Sequence, residues 1–292
     1  MNRTSKLVVL GLALLLVAAF FLHREPRPRA PLPPPERKPL PEVAVPAPEA
    51  PALASASPRA GASSRDAAAI AAAVPEKPRP GVVRGGVRIL GVPPPRKVVK
   101  RDAEPQCQEL HPEPLLADDL VVNNYGGIQW AFVVVKKGLS RERWSPPETT
   151  VELELSRCRF TPHVVGVQVG QALRIRSRDP FLHNAHGLTM ENKEFNRGYR
   201  AGAEEMYRFD KPESPFAVKC DIHPWMRAFI AVVEHPFFCV TTESGFYEIA
   251  GLPPGRLTLQ VSHEKFLPVS QDVEVPSGGE VYLDFVLDRR KE

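Results

Sequence analysis

From Gly81 onward the chain alternates. Val151, Leu153 and Leu155 are interleaved with Glu152 and Glu154, and Leu173 and Ile175 with Arg174 and Arg176. A period of two puts apolar side chains on one face of an extended strand and charges on the other, a pattern that no helix can bury. Further strands are expected at 82–91, 128–136, 149–155, 164–169, 173–177, 206–209, 216–219 and 228–233, the first interrupted by glycines and stopped by Pro93-Pro94-Pro95. Short strands broken by Gly, Pro and Asn turns, with hardly any helical periodicity, predict an all-β chain of sandwich type. More than two hundred residues follow Gly81, enough for one large sandwich or two small ones.

The chain before Gly81 is of another kind. Arg3 and Lys6 precede an unbroken apolar run from Leu7 to Leu22, the charge and hydropathy of an export signal. At 1.5 Å per residue the run spans about 24 Å, short of a bilayer core of about 30 Å but extendable by snorkelling flanks. The expectation is a signal peptide or signal anchor over 1–23, uncleaved and holding the protein to the inner membrane outside the cytoplasm; a cleaved signal peptide, leaving a soluble periplasmic protein, is the alternative. Residues 24–80 are rich in Pro, Ala, Arg and Glu and have no aromatic residue, so they cannot bury a core. They read as a disordered linker, serving either as a spacer from a membrane or as a plain tether. The net charge of +4 is modest and the basic residues carry no interleaved aromatics, which argues against nucleic acid as a partner.

Chemistry concentrates in Lys219-Cys220-Asp221-Ile222-His223-Pro224-Trp225-Met226, a Cys-x2-His-x2-Met spacing. Thiolate, imidazole and thioether together suit copper, and a blue-copper centre needs one Cys, two His and a weak axial Met. The further histidine is available in Asp179-Pro180-Phe181-Leu182-His183-Asn184-Ala185-His186. Buried Cys and Met are ordinary core fillers when single, but four such residues around a loop rich in Asp and Pro make a poor core. Zinc fits less well, because a thioether adds little to its usual Cys, His and carboxylate ligands. A binuclear copper centre would need a second Cys in the loop, and only Cys220 is there.

These residues resemble the cupredoxins, most closely those of the amicyanin type, in which a His-Asn dipeptide and a short Cys-x2-His-Pro-aromatic-Met loop hold the copper. The resemblance covers residues 81–235 and implies a Greek-key β-sandwich with one type 1 copper and electron transfer rather than enzymatic turnover. Carried over by position, the metal ligands are His183, Cys220, His223 and Met226. Asn184 is implied to bond across to the other ligand loop, and His223 with Trp225 to form the port through which electrons pass to a redox protein partner. His186 is the rival to His183; the second histidine of the amicyanin-type loop is not a ligand, and His183 is preferred because it precedes the Asn. The other histidines have no ligand partner in sequence, so no second copper and no nitrite-reductase chemistry is expected.

In an oxidising compartment Cys107 and Cys158 are expected to form a disulfide that pins the irregular segment 97–118 to the sandwich, leaving Cys239 as a buried free thiol. Residues 236–292 change character. Thr241-Thr242-Glu243-Ser244-Gly245-Phe246-Tyr247 followed by Gly251-Leu252-Pro253-Pro254-Gly255 resembles the carboxypeptidase regulatory-like, transthyretin-like β-sandwich domains, which are interaction modules. The stretch is too short for a whole domain, and the strand at 82–91 is the expected donor of what it lacks. Two other functions compete with electron transfer: copper capture and delivery, which the total of four methionines disfavours, and an envelope scaffold with a structural metal.

Overall fold

A computed structural model describes residues 78–288 except 102–104, 111–112 and 141–142. The expected export segment, nearly all of the linker, His23 and His111 lie outside the described residues. No helix among the described residues is long and apolar enough to cross a membrane. The fold is all-β, as the alternation predicts, and its strands form two sandwiches.

The first sandwich holds strands β3 (Val151–Ser156), β4 (Arg159–Thr161), β5 (Val164–Gln168), β6 (Leu173–Ser177), β7 (His183–Gly187), β8 (Phe195–Tyr199), β9 (Glu204–Tyr207), β10 (Glu213–Lys219) and β11 (Arg227–Val233). One sheet runs β4-β3-β6-β9 and the other β5-β11-β10-β7-β8. The alternating residues behave as their period dictates. Leu153, Leu155, Leu173 and Ile175 are fully buried between the sheets. On the wet face Arg174 pairs with Glu152 at 2.7 Å and Arg176 with Glu154, across the parallel β3–β6 register. The one helix among the described residues, α1 (Pro105–Leu110), is bound to the β3–β4 turn by the Cys107–Cys158 disulfide.

The second sandwich takes β12 (Phe238–Val240), β13 (Phe246–Leu252), β14 (Gly255–His263), β15 (Phe266–Val275), β16 (Glu280–Tyr282) and β17 (Phe285–Leu287), together with two earlier strands. β1 (Gly81–Ile89) pairs antiparallel with β13 and parallel with β16 and β17, so the early strand does complete the late sheet. The glycine interruption in β1 has a packing cause: a Cβ on Gly85 would lie 1.9 Å from the Leu283 carbonyl oxygen. β2 (Phe132–Lys137) is inserted between β12 and β14. The strand pairing therefore departs from the sequential division into 81–235 and 236–292, because both early strands serve the late sandwich.

β2 and β11 explain why. Val133 and Val135 fill the second core, while Phe132 and Val134 on the opposite face meet Val164, Ala231 and Val233 of the first sandwich. Ala228, Ile230 and Val232 of β11 face the first core. Strands buried on both faces read as continuous apolar runs rather than alternations. Cys239 on β12 is a free thiol, only partly buried rather than fully so, and its desolvation pushes the thiol up to about 12.

Candidate metal centre

β10 ends at Lys219 and β11 begins at Arg227, so Cys220 to Met226 form the loop between two hydrogen-bonded neighbours. The loop is closed on itself: the Cys220 amide donates to the Met226 carbonyl at 3.0 Å, and the Met226 amide donates to that of His223 at 2.9 Å. His183 lies outside the strands that alternation predicts, yet it is the first residue of β7, which pairs with β10 and β8. Sheet pairing thus sets the imidazole beside the loop.

Three donors converge. The His183 and His223 Nδ1 atoms are 3.0 Å apart, and the His223 Nδ1 is 3.5 Å from the Cys220 sulfur. One ligand atom from each of the three residues lies within 4.8 Å of the others, and all three side chains are buried. The Met226 side chain is buried in the same core cluster as Cys220. A second group, Cys158, Asp179 and His183, is equally close, but the Cys158 sulfur is committed to its disulfide.

Asp179, given no role by the sequence, is a buried residue that orients the site. Its Oδ2 accepts from His183 Nε2 at 2.7 Å and from the Cys158 amide at 2.8 Å, and its Oδ1 accepts from the Arg157 amide at 2.6 Å. Burial alone would push this carboxyl up, but the His183 imidazole and the two amides hold it below the usual carboxylate range. Burial likewise pushes His183 down, but the hydrogen bonds to Asp179 and to the Cys220 sulfur together outweigh it, so that the imidazole is raised. The signal for Asp179 was its position four residues before the histidine.

The thiol responds to the same pair of rings. Burial raises it, but hydrogen bonds from His183 and His223, with the Asn184 amide 3.4 Å from the sulfur, bring it down to about 6. A thiol at that value is largely thiolate at neutral pH, the form that binds metal.

Asn184 bridges the two ligand segments: its Oδ1 accepts the Asp221 amide at 2.7 Å. His186 faces elsewhere, 3.0 Å from Asp221 and 2.8 Å from Glu194. His223, expected at the surface, is 2 % exposed. The exposed apolar groups beside it in the loop are Ile222 and Pro224, because the ring itself is tucked against His183, Phe181 and Trp225. Trp225 is partly buried against the first core and its indole N–H donates to the Cys158 carbonyl at 3.1 Å, so it is a packed residue of the loop.

Residues 227–288 match the carboxypeptidase regulatory-like domain. That regulatory-like stretch begins at β11, directly after Met226, and runs through β17. No curated protein relative matches the chain. Among solved structures, similarity is found to a Cu-containing nitrite reductase from Thermus scotoductus SA-01, at 23 % identity over 35 % of this chain and 25 % of that one, with a TM-score of 0.28. The chain thus spans about a quarter of that enzyme's length. A novel purple cupredoxin from Nitrosopumilus maritimus is similar at 18 % identity over 28 % of this chain and 98 % of its own, with a TM-score of 0.25. A reduced amicyanin variant is similar at 15 % identity over 34 % and 97 %, with a TM-score of 0.27.

Proposed function

We propose that the protein binds one copper ion in a mononuclear type 1 site and acts as an electron carrier. The observation that carries this reading is the buried convergence of one thiol and two imidazole nitrogens on strand-anchored segments. A thiolate with two imidazoles is a soft, nitrogen-rich donor set that suits copper. Bound there, copper supplies a one-electron couple whose potential depends on the axial ligand and on the surrounding apolar shell.

The residues divide the work. His183 and His223 would hold the ion through Nδ1 and Cys220 through its sulfur, and the buried Met226 would add its thioether. Asp179 holds the far nitrogen of His183, which fixes the ring and the tautomer that leaves Nδ1 for the metal. Asn184 and the closed backbone loop keep the two ligand segments together, and such rigidity favours fast exchange because little must rearrange. Ile222 and Pro224, exposed on either side of His223 in the loop, offer a small apolar face for a redox protein partner, in keeping with the small interfaces of transient encounters. The protein works outside the cytoplasm, tethered to the membrane through its first residues, and carries no chemistry of its own beyond electron exchange.

The test is the visible spectrum of the purified full chain after addition of Cu(II), compared with Cys220→Ser. An intense red-light absorption that disappears in the variant is expected. A protein that binds copper without colour overturns electron transfer in favour of a scaffold with a structural metal.

A further inference from the structure

The β3–β4 connection contains only Arg157 and Cys158, and both have positive φ, 53° and 55°. A two-residue hairpin turn with this backbone normally takes Asn-Gly or Asp-Gly, since other residues populate the left-handed region sparsely. Arg-Cys is a poor turn former, so the surroundings must hold it. Two contacts do. The Cys107–Cys158 disulfide ties the turn to α1 across 51 residues, and the Asp179 carboxylate accepts both consecutive amides, at 2.6 and 2.8 Å.

The turn reaches the metal centre twice. Through the Cys158 amide it holds the carboxylate that holds His183. Through the Cys158 carbonyl it accepts the Trp225 indole N–H, and Trp225 sits between His223 and Met226 with its ring 5.3 Å from that of His223. One half-cystine therefore contacts both ligand segments through its backbone.

We infer that the Cys107–Cys158 disulfide is a positioning element of the metal centre, fixing the turn whose amide and carbonyl orient His183 and the Trp225 side of the ligand loop. This rests on the metal-site reading above. Both half-cystines are fully buried, so the bond acts as a permanent clamp rather than a switch for a passing reductant. Cutting it frees the turn to leave the left-handed conformation, the amides swing off Asp179, and the His183 ring and the indole each lose a fixed partner.

The experiment is a double-mutant cycle on the full chain, with Co(II) as the probe because it does not oxidise the thiol. Co(II) affinity and the thiolate-to-cobalt absorption are measured for the wild type, for Cys107→Ala/Cys158→Ala, for Asp179→Asn, and for the triple variant. The disulfide-free protein is expected to bind 10- to 100-fold more weakly with a shifted absorption, the usual loss when a ligand's outer partner is removed. In the Asp179→Asn background the same change should cost much less, because the contact it works through is already altered. Equal affinity and spectrum with and without the disulfide, or full additivity with Asp179→Asn, overturns the inference while leaving the metal site standing. A wild type that binds no Co(II) overturns the metal reading and this inference with it. Should the disulfide-free protein not fold, Trp225→Phe removes only the donor to the Cys158 carbonyl; several-fold weaker binding is expected, and unchanged binding overturns the inference.

Discussion

Asn184 is bonded to Asp221 twice: its Oδ1 accepts the Asp221 amide at 2.7 Å, and its Nδ2 donates to the Asp221 carboxylate at 3.0 Å. Residue 184 follows one candidate ligand and residue 221 follows another, so this pair sets the distance between the strand that carries His183 and the loop that carries Cys220. In Asn184→Ala the part-buried Asp221 amide loses its acceptor, at a cost of about 1 kcal/mol. Thermal melting of the metal-free protein should show that loss. Metal affinity should fall by roughly 10- to 100-fold, as for other groups that support a ligand from behind.

The two histidines of β7 should separate cleanly. His183 and His186 are three apart on a strand and point to opposite faces. The first is buried beside the thiol, the second lies between Asp221 and Glu194, and its ring is raised chiefly by the Glu194 hydrogen bond. His186→Ala is expected to keep the visible copper spectrum and to lose at most about 1 kcal/mol of stability, the scale of an exposed ion pair. His183→Ala should abolish the spectrum. Spectra of the two variants at equal copper decide it, and a spectrum lost in His186→Ala would reverse the ligand assignment.

The legibility of this chain varies with how local each feature is. The loop from Cys220 to Met226 could be read because its donors are contiguous and its flanks are apolar strands. β7 could not, since His183-Asn184-Ala185-His186-Gly187 has no apolar alternation and is extended only through pairing with β10 and β8. β2 was visible as a strand but not as part of the late sandwich: with Phe132 to Val135 buried on both faces, periodicity has no way to say which core is its own. Asp179 was in plain sight before His183. Its role depends on amides at 157 and 158, more than twenty residues upstream, and on a turn conformation that Arg-Cys does not announce.

The contact between the sandwiches should be sensitive to a single methyl group. A Cβ on Gly166 of β5 would stand 2.3 Å from the ring of Phe238 and 2.8 Å from that of Phe132, both belonging to the second sandwich. The rings are packed against Val164, Ala231 and Val233 and have little room to retreat. Gly166→Ala is expected to destabilise the protein by about 1 to 3 kcal/mol, the cost of overpacking a filled interior. Denaturant melts should show it as a lower midpoint. Since Gly166 faces Phe238 and Phe132, while its neighbours Val165 and Val167 face the core that holds Cys220 and Met226, the copper spectrum should be retained.

Acid sensitivity should trace in part to Glu213, the buried first residue of β10. Its carboxylate accepts the Met190 amide at 2.5 Å, the Asn192 amide at 3.2 Å and the Asn192 side-chain amide at 2.9 Å, anchoring the segment after β7. Burial pushes the carboxyl up, but the Met190 and Asn192 donors outweigh it and hold it below the ordinary glutamate value. In the unfolded chain that value is ordinary, so in the window between the two the unfolded chain binds more protons and stability rises with pH. The contribution is complete above the unfolded pKa and is lost as pH falls through the folded one. Glu213→Gln should therefore cost about 1 to 3 kcal/mol near neutral pH, where a neutral amide replaces a charge-assisted acceptor. The gap from wild type should narrow as the medium is acidified below the ordinary carboxylate range. Urea melts of both proteins across that range measure it, and a gap that stays constant with pH would mean that the carboxylate charge contributes nothing to the anchor.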